Sequence, residues 1–178
     1  MTRASIDPSQ SPIALIGMMG SGKSTIGRRL ARALQRPFLD ADTELERRCG
    51  VSIQTIFELE GEAGFRQRES ELLHALTAAP DLILATGGGA VLRPENREHL
   101  RAHCCVIYLQ ANLQDLWMRL RYDRARPLLK GADPKLRIAE LLQMREPLYQ
   151  AVAHWSVPTG RQAPERVVQD IIHLLNLG

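Results

Sequence analysis

The chain has 178 residues, of which 44% are apolar and 24% charged, and its formal net charge is +3. This length and composition are typical of one globular domain and exclude a disordered or fibrous chain. The pI of about 9.0 does not indicate nucleic-acid binding, because the arginines are dispersed and no basic block contains aromatic residues. No apolar stretch has the length of a membrane span. We therefore expect neither nucleic acid nor a membrane as a partner.

The cysteines indicate the compartment. Cys49, Cys104 and Cys105 form no C-x-x-C spacing, and the last two lie in an apolar run typical of a protein core. This usage fits a reducing environment, so we expect a cytoplasmic location. We predict a flexible polar tail over residues 1–11 and a single domain over 12–178. No apolar stripe demands a partner chain, and we expect a monomer.

Short apolar runs alternate with segments of helical periodicity, which predicts an α/β fold with a parallel sheet. Ligands of such sheets bind beyond the carboxyl ends of the strands, so the residues that follow each strand are candidates for function. We expect Ser52 and Asn112 to cap helices and Pro94 to begin one. The predicted strands are 13–17, 37–40, 82–86, 105–109 and 155–157, and the predicted helices are 23–35, 43–49, 53–60, 62–78, 95–102, 113–122, 134–150 and 164–176.

The first strand leads into residues 17–25, Gly-Met-Met-Gly-Ser-Gly-Lys-Ser-Thr, a complete G-x-x-x-x-G-K-[ST] phosphate-binding loop. A helical pattern follows, so the motif has the strand–loop–helix context in which it functions. Its backbone N–H groups and the helix N-terminus attract phosphate. We expect Lys23 to reach the β- and γ-phosphates of a nucleoside triphosphate and the Ser24 hydroxyl to bind Mg²⁺.

The second strand ends in Asp40-Ala41-Asp42. Residues two apart in an extended segment face the same side, so both carboxylates are expected to point into the cleft beside the phosphate loop. One would organise the Mg²⁺ shell through water, and the other would orient a hydroxyl nucleophile and accept its proton. The alternative is structural, because Asp42 is also a suitable N-cap for the helix that follows.

The third strand runs directly into Gly87-Gly88-Gly89. Three glycines at the carboxyl end of a strand allow the backbone to approach a ligand closely. No aspartate follows this strand, where many P-loop proteins carry a metal-binding aspartate. This makes Asp40 the better candidate for metal binding.

Arginines recur near these motifs, at Arg66, Arg126 and Arg145. A guanidinium binds carboxylate or phosphate in a bidentate fork, although a single surface arginine is usually solvated or paired. Arg126 lies in a charged stretch with glycine and proline, about 122–133, which has the length of a mobile lid. A merely solvated loop is the alternative. On a lid, Arg126 would bring a cation to the charge that develops during phosphoryl transfer.

Taken together, these motifs resemble those of the shikimate kinase family over about residues 13–175. The resemblance implies a P-loop kinase fold with a five-stranded parallel sheet in the order 2-3-1-4-5, flanked by helices and carrying a mobile lid. It also implies transfer of the γ-phosphate of ATP to the 3-hydroxyl of shikimate, which gives 3-phosphoshikimate and ADP in chorismate and aromatic amino-acid biosynthesis. The matching motifs are the phosphate loop, Asp40-Ala-Asp42, Gly61-Glu-Ala-Gly-Phe-Arg-Gln-Arg-Glu69, Gly87-Gly-Gly89, Arg126-Pro-Leu-Leu129 and Arg145-Glu-Pro-Leu-Tyr149.

For the acceptor, the resemblance implies that Asp42 binds ring hydroxyls and acts as the base or orienting group for the 3-hydroxyl. Arg66 and Arg145 would hold the shikimate carboxylate. Gly88 and Gly89 would contact the ring through their backbone.

For the donor, the resemblance implies that Lys23 and Arg126 stabilise the transferring phosphoryl group. This sequence also has Arg121 and Arg124 near the lid, more arginines than the family motif requires, so the choice of catalytic lid cation stays open. It implies Mg²⁺ as the cofactor, with Ser24 and Asp40 as its residues, the latter through water. Arg119 matches the position that packs on adenine, and Pro164 would contact the opposite face of the base. The nucleotide-binding set is then Gly20, Ser21, Gly22, Lys23, Ser24, Thr25, Arg119, Arg126 and Pro164.

Other functions are compatible with the phosphate loop alone. A gluconate kinase would share the loop but lack this ordered set of acceptor motifs. A nucleoside monophosphate kinase needs a second base pocket, and a GTPase needs an Asn-Lys-x-Asp sequence that is absent here. A non-catalytic nucleotide-binding protein is the alternative outside the enzymes, but it has no need of Lys23, Ser24, Asp40 and Asp42 together.

Overall fold

Five strands form one parallel sheet in the order β2-β3-β1-β4-β5. The computed structural model describes residues 6–121 and 133–176. The predicted α/β class and strand order are confirmed, and each predicted strand ends within a residue or two of the observed one. The strands are β1 Ile13–Ile16, β2 Phe38–Asp40, β3 Ile83–Ala85, β4 Cys105–Gln110 and β5 Trp155–Pro158.

Helices cover both faces of the sheet. Ser52 caps α3 by accepting a hydrogen bond from Thr55 N at 3.1 Å, Asn112 caps α5, and Pro94 begins α4, as the sequence predicts. No helix of the described residues has the length and apolar character to cross a membrane. The helices are α1 Lys23–Leu34, α2 Ala41–Cys49, α3 Ile53–Leu76, α4 Pro94–His103, α5 Leu113–Leu120, α6 Pro134–Val152 and α7 Pro164–Asn176, with a 3₁₀ turn at Ala90–Leu92.

The core has two main layers because alternate residues of a strand face opposite sides of the sheet. In β1, Ile13 and Leu15 pack with α1 and α7, whereas Ala14 and Ile16 pack with α4, α5 and α6. The central strands are therefore buried on both faces, which explains their continuous apolar sequence. A third cluster joins α2 and α3 to β3 through residues such as Leu73 and Leu84.

The segment Ile53–Leu76 consists of two helical parts that meet at a break, where the sequence predicts the boundary between two helices. Gly61 has φ 69° and ψ −175°, which interrupts the helical path between residues 60 and 62. This left-handed φ is readily adopted only by glycine. The second part of α3 carries Arg66, whose guanidinium reaches Gly89 beyond the carboxyl end of β3.

The N-terminal segment contacts the domain. The guanidinium of Arg36 donates hydrogen bonds to Pro8 O at 2.9 Å and to Ser11 O at 2.7 Å, and Ile6 packs against the α1–α7 layer. A flexible tail stays a prediction, and its residues 1–5 lie outside the described residues. Residues 122–132 of the predicted lid, with Arg124 and Arg126, also lie outside them.

Substitution of two leucines of α3 would test how much the packing of this helix against the core stabilises the fold. Leu73 is completely buried, whereas Leu59 is 76% exposed. We expect Leu73→Ala to lower the free energy of unfolding by about 2–5 kcal/mol, since it removes buried surface and leaves a cavity. The same change at Leu59 should have an effect of about 0.5 kcal/mol or less. Urea unfolding measures both, and equal losses would contradict this packing.

Candidate active site

The phosphate loop connects β1 to α1 at the carboxyl edge of the sheet. Gly17, Gly20 and Gly22 have positive φ angles of 144°, 78° and 99°. Among the described residues, no side chain caps the N-terminus of α1, which begins at Lys23. The first N–H groups of this helix, with its positive dipole end, therefore face the cleft without a competing side-chain acceptor.

Lys23 lies inside the mouth of this loop. Its Nζ donates to Gly17 O and to Met18 O, both at 2.8 Å, and the residue is buried. Because these acceptors are neutral carbonyls, they hold the ammonium group in place without neutralising its charge. The loop thus presents a positioned cation to a polyphosphate.

Asp40 occupies the point where β2 ends and α2 begins. Its Oδ1 accepts from Asp42 N at 3.1 Å and from Thr43 N at 3.3 Å, and its Oδ2 accepts from the Ser24 hydroxyl. The predicted extended conformation of residues 40–42 is wrong, because α2 already begins at Ala41. The alternative of Asp42 as the N-cap is also wrong, since Asp40 has that role. Both carboxylates nevertheless line the cleft.

The three glycines after β3 run close to charged side chains. A Cβ atom on Gly87 would lie 2.5 Å from Glu69 Oε1 and 2.9 Å from Asp42 Oδ1. A Cβ atom on Gly89 would lie 2.4 Å from Arg66 Nη2. Any larger residue at these two positions would displace the charged groups, so the glycines allow these side chains to approach the backbone closely. The predicted close approach to a ligand stays a prediction.

Arg66 and Arg145 are two buried cations, 8% and 3% exposed, on α3 and α6. The Nη1 of Arg66 donates to Glu69 Oε2 at 2.7 Å, and its guanidinium carbon lies 5.0 Å from the ring centroid of Phe65. In the described part of the chain, the Nε atoms of both arginines are buried without a hydrogen-bond partner. Buried guanidinium groups with unused donors are suited to a carboxylate or phosphate ligand.

Glu69 is a residue that the sequence analysis did not assign. It is only 3% exposed, and burial raises its pKa above the ordinary value. The charge of Arg66 opposes this rise in pKa, and the nearby Asp42 carboxylate adds to it. The signal in the sequence was the spacing of Arg66 and Glu69, since residues three apart lie on the same face of a helix.

The far end of the cleft is closed by Arg119 of α5. Its Nη1 donates to Gly20 O at 2.9 Å, and its Nη2 donates to Thr159 O at 2.6 Å and Gly160 O at 2.7 Å. This guanidinium therefore joins the phosphate loop to the loop between β5 and α7, where Pro164 also lines the cleft.

These groups surround one cleft with a volume of about 470 Å³, in the range of small-molecule sites. The cleft extends from the phosphate loop to the glycine loop, because residues of the phosphate loop, both aspartates and Gly88 all line it. Arg66, Arg145 and Gly89 lie next to it without lining it. The lining residues are Met19, Gly20, Ser21, Gly22, Lys23, Ser24, Thr25, Ile26, Asp40, Asp42, Thr86, Gly88, Arg119, Thr159, Gln162, Pro164 and Val167.

A phosphate loop on this sheet, facing a second set of buried charges, defines an ATP-dependent P-loop kinase. The family model for shikimate kinase matches residues 19–176, and the chain belongs to this family. The shikimate kinase of Bordetella pertussis is 53% identical over 165 residues, which cover 93% of this chain and 78% of that protein. The shikimate kinase of Nitrosospira multiformis is 50% identical over 165 residues, covering 93% and 85%.

The fold agrees with this membership. A solved structure of the shikimate kinase from Acinetobacter baumannii in complex with shikimate superposes with a TM-score of 0.91 at 43% identity. The match covers 95% of this chain and 94% of that one. The resemblance stated from the motifs is therefore confirmed over nearly the whole chain.

The buried carboxyl group of Glu69 makes the free energy of unfolding depend on pH. Its pKa is raised above the ordinary value of 4.5, so the folded chain binds this proton more tightly than the unfolded chain, and stability falls as pH rises through that window. We expect the free energy of unfolding, relative to Glu69→Gln, to decrease from pH 4.5 upwards until the raised pKa is passed. Urea unfolding of both proteins over this range measures it.

The control for this comparison is Glu62→Gln. Glu62 is the other carboxylate partner of Arg66, at 3.3 Å, and its side chain is 59% exposed. This variant reports what the loss of an exposed carboxylate near Arg66 does by itself. A free energy of unfolding that increases with pH in the native chain relative to Glu69→Gln would contradict the assignment.

Proposed function

We propose that the chain transfers the γ-phosphate of ATP to the 3-hydroxyl of shikimate, giving 3-phosphoshikimate and ADP for chorismate and aromatic amino-acid synthesis. The observation that carries this proposal is the pair of buried arginines, Arg66 and Arg145, beside the glycine loop and the phosphate loop. Shikimate is a small anion with several hydroxyls, so it needs cations for its carboxylate and acceptors for its hydroxyls. Gluconate is also a hydroxylated carboxylate, and the family model together with the ordered acceptor motifs favours shikimate over it.

On the donor side, the phosphate loop holds the ATP phosphates through its backbone and through Ser21 and Thr25. Lys23 balances the charge of the β- and γ-phosphates, which supports the phosphoryl group as it moves. Arg119 and Pro164 hold the adenine from its two faces. Arg126, on the proposed lid, adds a second cation when the lid closes and excludes water.

On the acceptor side, Arg66 and Arg145 bind the carboxylate and fix the ring. The backbone of Gly88 and Gly89 contacts the ring, and Asp42 accepts a hydrogen bond from the 3-hydroxyl. Asp42 thereby orients the attacking oxygen towards the γ-phosphate and takes its proton as the new P–O bond forms.

Mg²⁺ is proposed as the cofactor. The contact between the Ser24 hydroxyl and Asp40 Oδ2 brings two oxygen ligands together at the cleft, and oxygen ligands suit this ion. Asp40 would act through a water molecule, because its carboxylate also caps α2. The ion would neutralise part of the phosphate charge.

A cytoplasmic location is also proposed. It is supported by three free cysteines, of which Cys104 and Cys105 are buried. Burial raises the pKa of each of these two thiols to about 12, which keeps them unreactive. A monomer is the proposed oligomeric state.

An acceptor panel tests the function. ADP release is followed in a coupled assay with ATP, Mg²⁺ and one of three acceptors: shikimate, gluconate or a nucleoside monophosphate. We expect turnover with shikimate alone, because the chain belongs to the shikimate kinase family and carries the ordered acceptor motifs of that family. The absence of shikimate-dependent turnover would reject the proposal.

Asp42→Asn tests the acid–base role. We expect turnover to fall by more than about a hundredfold, the usual scale for such a group, while ATP binding measured by calorimetry stays nearly intact. Asp40→Asn is the control: asparagine still caps α2, and the loss should appear as a higher Mg²⁺ requirement. Unchanged turnover in Asp42→Asn would remove this carboxylate from the mechanism.

A further inference from the structure

The hydroxyl of Tyr149, on α6, donates a hydrogen bond to Gly88 O at 2.5 Å. Tyr149 is completely buried, and it lies one helical turn after Arg145, on the same face of α6. The same hydroxyl also interacts with the guanidinium of Arg145. Tyr149 therefore joins α6 to the glycine loop next to one of the two buried arginines.

The Tyr149 hydroxyl binds the carbonyl of the Gly88–Gly89 peptide, which the hydrogen bonds of the following 3₁₀ turn do not fix. Gly87 O accepts from Ala90 N at 3.1 Å, and Gly89 O accepts from Leu92 N at 3.0 Å. The carbonyl of Gly88 points away from this 3₁₀ turn and is held by Tyr149 instead. A peptide between two glycines reorients easily because no Cβ atom restricts it.

A fixed carbonyl also fixes an N–H group. The Gly88–Gly89 peptide is trans and planar, so Gly88 O and the N–H of Gly89 point in opposite directions in one plane. When Tyr149 holds the oxygen, the Gly89 N–H is directed to the opposite side. A Cβ atom on Gly89 would lie 2.4 Å from Arg66 Nη2, so this residue lies beside one of the two buried arginines.

Gly88 lies close to groups on both sides of the site, so the orientation of the Gly88–Gly89 peptide bears on the binding of both substrates. A Cβ atom on Gly88 would lie 3.3 Å from Met19 N, in the phosphate loop, and 3.7 Å from Arg145 Nη1. The Gly88–Gly89 peptide therefore lies between the donor loop and an acceptor arginine. A reoriented peptide would change the direction of the Gly89 N–H next to these groups.

The Tyr149 ring is itself held in place. It stacks on Tyr108 of β4, with ring centroids 5.1 Å apart and an angle of 24° between the planes. Burial raises the pKa of Tyr149 to about 12, so the hydroxyl keeps its proton and remains a donor at neutral pH. The hydroxyl of Tyr108 is buried too, and it interacts with Glu146 on α6.

We propose that Tyr149 is a positioning residue for the acceptor: its hydroxyl orients the Gly88–Gly89 peptide so that the Gly89 N–H binds shikimate. This inference rests on the proposed function. It goes beyond that function because it assigns part of the acceptor specificity to a side chain that acts through the backbone.

Tyr149→Phe removes only the hydroxyl and tests the proposal. We expect the KM for shikimate to rise about tenfold, as for the loss of one hydrogen bond, while the KM for ATP stays within about twofold. Tyr108→Phe is the matched control, since it removes the neighbouring hydroxyl that does not contact the loop, and it should leave both KM values unchanged. A merely structural role for Tyr149 would lower the active fraction and kcat without a selective change in the shikimate KM.

Three results would overturn the proposal: an unchanged shikimate KM in Tyr149→Phe, an equal rise for both substrates, or the same rise in Tyr108→Phe. The native chain supplies a second measurement that does not depend on how the variants fold. With ¹⁵N-labelled glycine, shikimate should shift the Gly89 amide signal more than that of Gly50, whose Cβ direction is open. An unshifted Gly89 signal would also overturn it.

The two proposals fail in different ways. If the native chain does not phosphorylate shikimate, the proposed function is rejected. If the native chain does phosphorylate shikimate but Tyr149→Phe has a native shikimate KM, the function stands and the positioning role of Tyr149 is rejected.

Discussion

The site depends on the close approach of two glycine-rich loops that leave neighbouring parallel strands at the same edge of the sheet. Thr86 N donates to Leu15 O at 3.1 Å, which extends the β1–β3 pairing to the residue before the glycines. The loops then pass so closely that a Cβ atom on Gly88 would lie 3.3 Å from Met19 N and 3.6 Å from Gly17 O. The register of two strands and the absence of side chains therefore set the separation of the phosphate donor from its acceptor.

The charged groups are brought to this junction by elements that do not belong to either loop. The second part of α3 carries Arg66 and Glu69, α6 carries Arg145 and Tyr149, and α2 carries Asp42. Each helix is anchored by its own apolar contacts, such as Leu73 on α3 and Ile138 on α6. The acceptor side is thus assembled from separate parts of the core, which is why its residues are far apart in the sequence.

The sequence predicted what depends on local patterns and on motif order. It located the strands, their order, the caps at Ser52 and Asn112, and the family. It misjudged residues 40–42, since nothing in Asp-Ala-Asp shows whether an extended segment continues or a helix begins at Ala41. The roles of Glu69 and Tyr149 depend on neighbours that only the folded chain brings near: the Gly87 backbone and the Gly88 carbonyl. Contacts between such distant residues leave no periodic pattern in the sequence from which they could be predicted.

Several polar atoms at the acceptor side are buried without a hydrogen-bond partner in the described part of the chain: Arg66 Nε, Arg145 Nε and Glu69 Oε1. Each such atom lowers the stability of the free protein, because it has lost water and gained nothing in return. An anionic ligand that reaches the two arginines removes part of this penalty. Under the proposed roles of Arg66 and Arg145, the atoms that bind the substrate carboxylate are also those that hold the ligand-free chain short of its most stable state, so selection for a more stable chain would act against affinity.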